Sequence, residues 1–468
     1  MYRRSTRALA PGPSLGGTRV SVRGQWALLV LLAVAAASCL GPGGAATQTA
    51  VAPSRSPAAF PGRIDEVLRA PIARRCPPAP AFHPGSAGAV AYIAQGSLHL
   101  VDLSSGRDRV LVRRGEVRLV HGPVAFSPDG RWVAFGQGLV VPSAGGRVCS
   151  PLGKRPPPRY ASASSWRWMP DRDVLIGQTL HGGLIEAGVE GRRRRLPIRV
   201  DSWALDPTGR RIAYGHSPHV PRIQQIRVYD LATGSRRILY RGSPRRIAPP
   251  RVAKWSPDGR WILFWTRLEN SASLAADGLP LLAVAAKTGR TERITPGMLV
   301  YPGFLSWCGG RLIAAVGWDR YVTRGKRIVW AVPPHWRTGL LTPDRSRSWY
   351  EPACSPDGTR VAVVSTRSGA EPRFDAWDRS LWILSPGCGA PEQLLSTPGF
   401  SYENPIWSAD GRSILVVRRE SKPRARASLC LTRVDRPGRC TRVVRLGRVG
   451  FGYYGINAYG LDWYEPGP

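Results

Sequence analysis

Few side chains in this chain of 468 residues are of a kind that does covalent or metal chemistry. His216 and His219, in HSPH, suit a divalent ion if a third ligand joins them, but Pro218 stiffens the link between them and no third ligand stands nearby. Asp319, Asp375 and Asp378 lie among arginines, a setting for salt bridges more than for an acid–base pair, which needs a fixed separation. With seven histidines in the chain, no Ser-His-Asp or Cys-His set can be assembled from spacing. No catalytic residue and no cofactor is therefore expected. A second signal is aromatic and acidic. Tyr301 stands in VYPGF, Tyr350 and Glu351 in SWYEP, Tyr402, Glu403 and Asn404 in SYENP, and Tyr453, Tyr454 and Asn457 in GYYGIN. Aromatic faces beside carboxylates and carboxamides suit a sugar or peptide ligand. The same residues would also serve as a plug in which neighbouring segments bond one another, and both readings stay open.

What must position these groups is a repeat. FSPDGRWVAFG (126–136) returns as WSPDGRWILFW (255–265), and aligning on the residue before the turn gives Phe82, Phe126, Trp168, Leu205, Trp255, Trp307, Cys354, Trp407 and Trp463. These anchors stand 37 to 56 residues apart. Short strands at that period, with Gly and Pro together reaching 96 residues, indicate propeller blades rather than helices. In Ser-Pro-Asp-Gly, Pro presets φ for a type I turn, Asp tolerates the next position and Gly supplies the left-handed residue that follows. Apolar runs such as RWILFW then read as second strands buried between blades. Third strands such as IRVYDLATG follow, and charged fourth strands such as SRRILY blunt the outer edge.

The pattern WSPDGRxIxF, then D-L-x-T-G, then a charged strand, resembles the TolB-type propeller repeat, related in shape to WD-repeat proteins of the bacterial envelope. The resemblance covers about residues 80 to 468 and implies a fold, not one activity. TolB carries an α/β domain ahead of its propeller, for which this chain shows no counterpart. Prolyl oligopeptidase propellers are followed by a hydrolase with a G-x-S-x-G elbow, and here the sole match is GPSLG at 12–16. The expected architecture is all-β, a single propeller of four-stranded blades, eight in number, or seven if the unit at Trp168 is not independent. CPPAPAF, before the first anchor, is a poor inner strand, so AYGLDWY (458–464) is expected to supply the innermost strand of blade one and close the ring. Loops between second and third strands are long in blades four to eight, which would raise a wall on one side of the central funnel. The funnel residues proposed to bind a ligand are Tyr301, Tyr350, Glu351, Tyr402, Glu403 and Tyr454.

The N-terminus has a separate logic. Five arginines and no acid precede WALLVLLAVAAA (26–37), an apolar run too short to cross a bilayer, which needs about 20 residues, and matching a signal-peptide core. AASCL resembles a lipobox, with Cys39 as the lipidated residue, against ordinary cleavage after Ala37 or Ala46. Residues 1–38 are thus expected to be a leader, 39–80 a Pro/Ala/Gly-rich tether and 81–468 the propeller. Of eight cysteines, Cys430 and Cys440 flank DRPG and are placed to face each other across a hairpin. The net charge of +36 favours anionic partners, although arginines spread over every repeat also fit codon bias. The densest run, Arg192 to Arg195, is expected in a turn. Together these features predict an exported, lipid-anchored propeller on the outer face of the cytoplasmic membrane or in the cell envelope. It would bind or scaffold an envelope protein, a peptide or an anionic glycan, with no nucleic-acid role. The alternative is an exported propeller enzyme, such as a polysaccharide lyase acting on anionic sugars.

Overall fold

The apolar runs that follow each turn form strands buried on both faces: Trp132–Phe135, Trp261–Trp265 and the first six residues of Val361–Arg367 are buried at every position. Such strands need a sheet on either side, and a ring of radial sheets supplies it. The computed structural model describes residues 72–117, 122–153, 166–179, 181–216, 224–242, 250–266, 278–342, 345–369, 378–386, 389–422, 425–448 and 460–466. These form eight antiparallel sheets in a propeller, seven of four strands and one of three. The unit at Trp168 makes its own blade, with strands Trp166–Trp168, Val174–Gln178, Gly183–Gly188 and Arg193–Arg199, which decides for eight blades over seven. Blade two, Val124–Phe126, Trp132–Phe135 and Leu139–Pro142, has three strands. Where a fourth would run, Cys149 bridges Val140 through a reciprocal pair of backbone bonds of 3.0 and 2.8 Å.

Blade one closes the ring as the sequence predicts. Leu461–Tyr464 pairs antiparallel with Ala89–Ala94 and is its innermost strand, ahead of Ser97–Asp102 and Asp108–Val112. Three of the anchor tryptophans link neighbouring blades. The indole N–H groups of Trp168, Trp255 and Trp407 donate to the carbonyls of Ala125, Ala204 and Ala353 at 3.1, 3.1 and 2.9 Å. Each acceptor is the residue before the anchor of the preceding blade, so the indole satisfies a carbonyl on the free edge of an inner strand.

Disulfides join Cys76 to Cys149, Cys308 to Cys354 and Cys430 to Cys440. The last is the expected hairpin pair, and the second ties the inner strands of blades six and seven. Residues at the end of the segment assigned to the tether are pinned: Ala73 bridges Cys149 and the Cys76 N–H donates to the Val189 carbonyl at 2.8 Å. The Arg192–Arg195 run departs from the expected turn. It opens the outer strand Arg193–Arg199, whose exposed face tolerates charge, with Arg194 paired to Glu186 at 2.5 Å. The leader, Cys39, Cys388, His219, Asp375, Tyr453, Tyr454, Asn457 and most of the long loops of blades four, five and seven lie outside the described residues. Among the described residues no helix is long and apolar enough to cross a membrane.

Candidate functional site

The inner strands of blades seven and eight, Arg347–Cys354 and Phe400–Trp407, are the longest inner strands, eight residues each. Each carries a bulge where pairing shifts, between Tyr350 and Ala353 and between Glu403 and Ile406. At the bulges Glu351 and Asn404 adopt φ of +52° and +55°, each just before a proline and three residues before its anchor. Left-handed backbone in residues with a Cβ is costly and is held by its surroundings. Here the hold is mutual, because the Asn404 N–H donates to Glu351 Oε2 at 2.9 Å across the two blades.

The bulges also offset the two Tyr-Glu pairs. Counted from the anchors, Glu351 matches Asn404 and Tyr350 matches Glu403, so the two glutamates have different surroundings. Glu403 is buried, with Arg379 Nη1 and Arg419 Nε at 2.9 and 3.1 Å from its Oε1. Arg379 immediately precedes the third strand of blade seven, and Arg419 lies on the second strand of blade eight. Glu351 is half-buried. Burial, and then the negative charge of Glu403, push its carboxyl from 4.5 up to about 7, against the opposing pull of Arg379 and the Asn404 N–H.

Tyr350 is buried below Arg379, whose guanidinium lies 5.7 Å from its ring centre. Its hydroxyl has no hydrogen-bond partner among the described residues. Tyr301 is half-buried and is linked to Tyr350 through Phe304, with ring centres 5.6 and 6.4 Å apart. Tyr402 packs into the core between blades seven and eight, its hydroxyl 2.8 Å from Thr397 Oγ1. The structure therefore gathers Tyr350, Glu351 and Glu403, adds Arg379 and Arg419, sets Tyr301 at one remove and turns Tyr402 into the core. Tyr454 lies outside the described residues.

His216 ends a strand of blade four and is engaged. Among the described residues no three His, Cys, Asp or Glu side chains are arranged to hold a metal ion. Asp319 accepts the Tyr321 N–H at 2.8 Å and lies 3.9 Å from Arg324, in the salt-bridge role expected of it.

A second set emerges from the residue just before each anchor, which the anchor alignment could have exposed. Its side chain reaches toward the free edge of the next inner strand. Asp462 Oδ2 accepts the Phe126 N–H at 2.9 Å, Ser306 Oγ accepts the Cys354 N–H at 3.1 Å, and Lys254 Nζ donates to the Leu305 carbonyl at 2.5 Å. The edges they meet face the central channel, so on blades one, five and six this position sets a polar side chain beside it. Arg167 holds the same place on blade three. On the face of the Ser-Pro-Asp-Gly turns, a separate groove of about 1010 Å³ runs between blades four, five and six, with Arg237, Arg260, Lys287 and Arg290 along it.

No protein-family model and no curated protein matches the chain. Solved structures do. A eukaryotic initiation factor shares 13% identity at a TM-score of 0.51, over 79% of this chain and 89% of that one. A prolyl endopeptidase shares 12% at 0.45 over 81% of this chain, which spans 50% of the endopeptidase's length. TolB of Acinetobacter baumannii shares 16% at 0.32, over 75% of this chain and 80% of that one. At such identities what is shared is the fold: the chain is an eight-bladed β-propeller, and its repeat resembles that of TolB-type propellers.

Proposed function

We propose that this propeller is exported, held at the membrane by a lipid on Cys39, and binds a peptide or protein partner in the cell envelope through the funnel of blades seven and eight. One observation carries the reading. Of two neighbouring carboxylates, Glu403 is neutralised by two buried arginines, whereas Glu351 stays half-buried, beside a Tyr350 hydroxyl that has no partner among the described residues. A carboxylate whose charge is disfavoured by burial gains most from a ligand that brings a positive charge or N–H donors. A peptide amino terminus is such a group. Three disulfides and the leader support export, since disulfides persist in oxidising compartments.

The test is calorimetric titration of the full mature chain with short peptides bearing free or acetylated amino termini. Tighter binding of the free amine by about tenfold or more, lost in Glu351→Gln, is the expected result. Equal affinities, or no effect of the substitution, would sink the assignment. Separately, Cys39→Ala should move the protein from the membrane fraction to the soluble one.

A second reading, an exported lyase on anionic sugars, draws on the same residue. A carboxyl raised to about 7 is in the range of a general base at neutral pH, and Arg379 is close enough to influence it. Release of unsaturated product from polygalacturonate, abolished in Glu351→Gln, would favour it over the binding module.

A further inference from the structure

We propose that the central channel holds one oxyanion, a carboxylate or a phosphate, between Arg167 of blade three and Lys254 of blade five. Both occupy the position whose side chain reaches the channel-facing edge of the next inner strand. Between them on blade four the same place is held by Ala204, whose methyl group leaves room where a longer side chain would fill it.

The two cations are under-compensated. Lys254 Nζ donates to the Leu305 carbonyl, and Arg167 Nη1 donates to the carbonyl of its own neighbour Trp166 at 3.2 Å. Neutral carbonyls satisfy hydrogen bonds but not charge, and neither residue has an ion-pair partner among the described residues. The one carboxylate at this position, Asp462, is on blade one, opposite Lys254 in a ring of eight, and is occupied by the Phe126 N–H. Arg379 and Arg419 show the usual alternative, sharing Glu403. A partly buried charge such as that of Lys254 is costly without a counter-charge.

The electrostatics agree with the placement. Burial, and then the charge of Arg167, lower the Lys254 ammonium from 10.5 to about 8, so the two groups feel each other. Arg167 is exposed to the channel, and partial desolvation there pushes its guanidinium down as well. A planar guanidinium and a compact ammonium facing one channel suit an oxyanion, which offers several acceptor oxygens and relieves the mutual repulsion.

The experiment is calorimetric titration of the full mature chain with inorganic phosphate in one arm and malonate in the other. Saturable binding of one anion per chain is expected, and the arm that responds identifies the source. Lys254→Met and Arg167→Met should each weaken it by about tenfold or more. Arg260→Ala, in the groove on the turn face, should leave it unchanged. Removing an under-compensated charge should leave Lys254→Met folded, with a melting temperature at or above that of the parent, so lost binding cannot be mistaken for unfolding. Absence of binding in both arms overturns the proposal. So does binding that survives both channel substitutions or falls with Arg260→Ala, which would mark an adventitious ion only. None of these outcomes bears on Glu351.

Discussion

Glu351 and Glu403 are written in the same Tyr-Glu context, and their environments make them opposite tools. Glu403 is held between two guanidinium groups. Glu351 is poised near neutrality, which ties the protein's stability to pH in a direction that can be worked out. Its folded pKa, about 7, is above its ordinary 4.5, so between those values the folded state binds more protons than the unfolded state and stability falls as pH rises. The penalty is absent below pH 4.5 and complete above pH 7. At 1.36 kcal/mol per pKa unit, and with partial access to water, it should amount to between about 1 and 3 kcal/mol. Gln in place of Glu351 keeps an oxygen for the Asn404 N–H and carries no charge. Urea unfolding at pH 5 and pH 8 should therefore show a smaller loss of stability for Glu351→Gln than for the parent. Asp173 and Asp462, each raised to about 6, push both proteins the same way, so the difference between the two isolates Glu351. Parallel losses in both proteins would show that Glu351 titrates as an ordinary carboxyl.

At the scale of the element, the Ser-Pro-Asp-Gly turn depends on a residue whose role its letters do not announce. Pro, Asp and Gly have local backbone reasons that a reader of sequence can supply. The serine acts through space: Ser256 Oγ donates to Asp258 Oδ1 at 2.5 Å and accepts the Trp261 N–H at 2.9 Å, fastening the turn to the start of the second strand. Ser127 and Ser408 repeat the pattern with Asp129 and Asp410, and Ser355 does so with Asp357. Ser256→Ala leaves the Trp261 N–H without this acceptor in a buried place and should cost about 1–3 kcal/mol, read as a lower urea midpoint with an unchanged slope. An unchanged midpoint would mean that the backbone ladder alone holds the turn. The contrast explains what was legible. Turns and doubly buried strands could be read because their causes are local in the chain or periodic along it. Arg379 and Arg419 could not, because arginines stand in every repeat and only tertiary placement singles out two of them. The Tyr-Glu offset was hidden for a related reason: a bulge shifts register without changing the letters. Lys254, Arg167 and Asp462 lay one step from the anchors, and reading that alignment across blades rather than along each one would have found them.

For the whole molecule, stability rests on a ring closed by one short strand. Leu461–Tyr464 serves three blades at once. It pairs with Ala89–Tyr92 in blade one, and Trp463 Nε1 donates to the Ala87 carbonyl at 3.2 Å. Asp462 accepts the Phe126 N–H of blade two, the Tyr464 hydroxyl donates to the Asp129 carbonyl at 3.1 Å, and Glu465 accepts the Ala409 N–H of blade eight. Gly130, in the blade-two turn at φ +73°, lets the Tyr464 ring lie against the backbone, where a Cβ would stand 2.3 Å from that ring. Loss of this strand strips blade one of its inner edge and opens the seam between blades eight and one, leaving unpaired backbone that invites edge-to-edge association. A chain ending at residue 459 should therefore melt at a lower temperature and aggregate. A synthetic peptide of residues 458–468, added in excess, should raise the melting temperature again in proportion to the logarithm of its concentration. Gly130→Ala probes the same closure with the strand present, and should lower the melting temperature by displacing Tyr464 and straining a left-handed turn. If the shortened chain melted within about 1 °C of the full one, less than about 1 kcal/mol would separate them, and the ring would be held by the packing between blades rather than by its clasp.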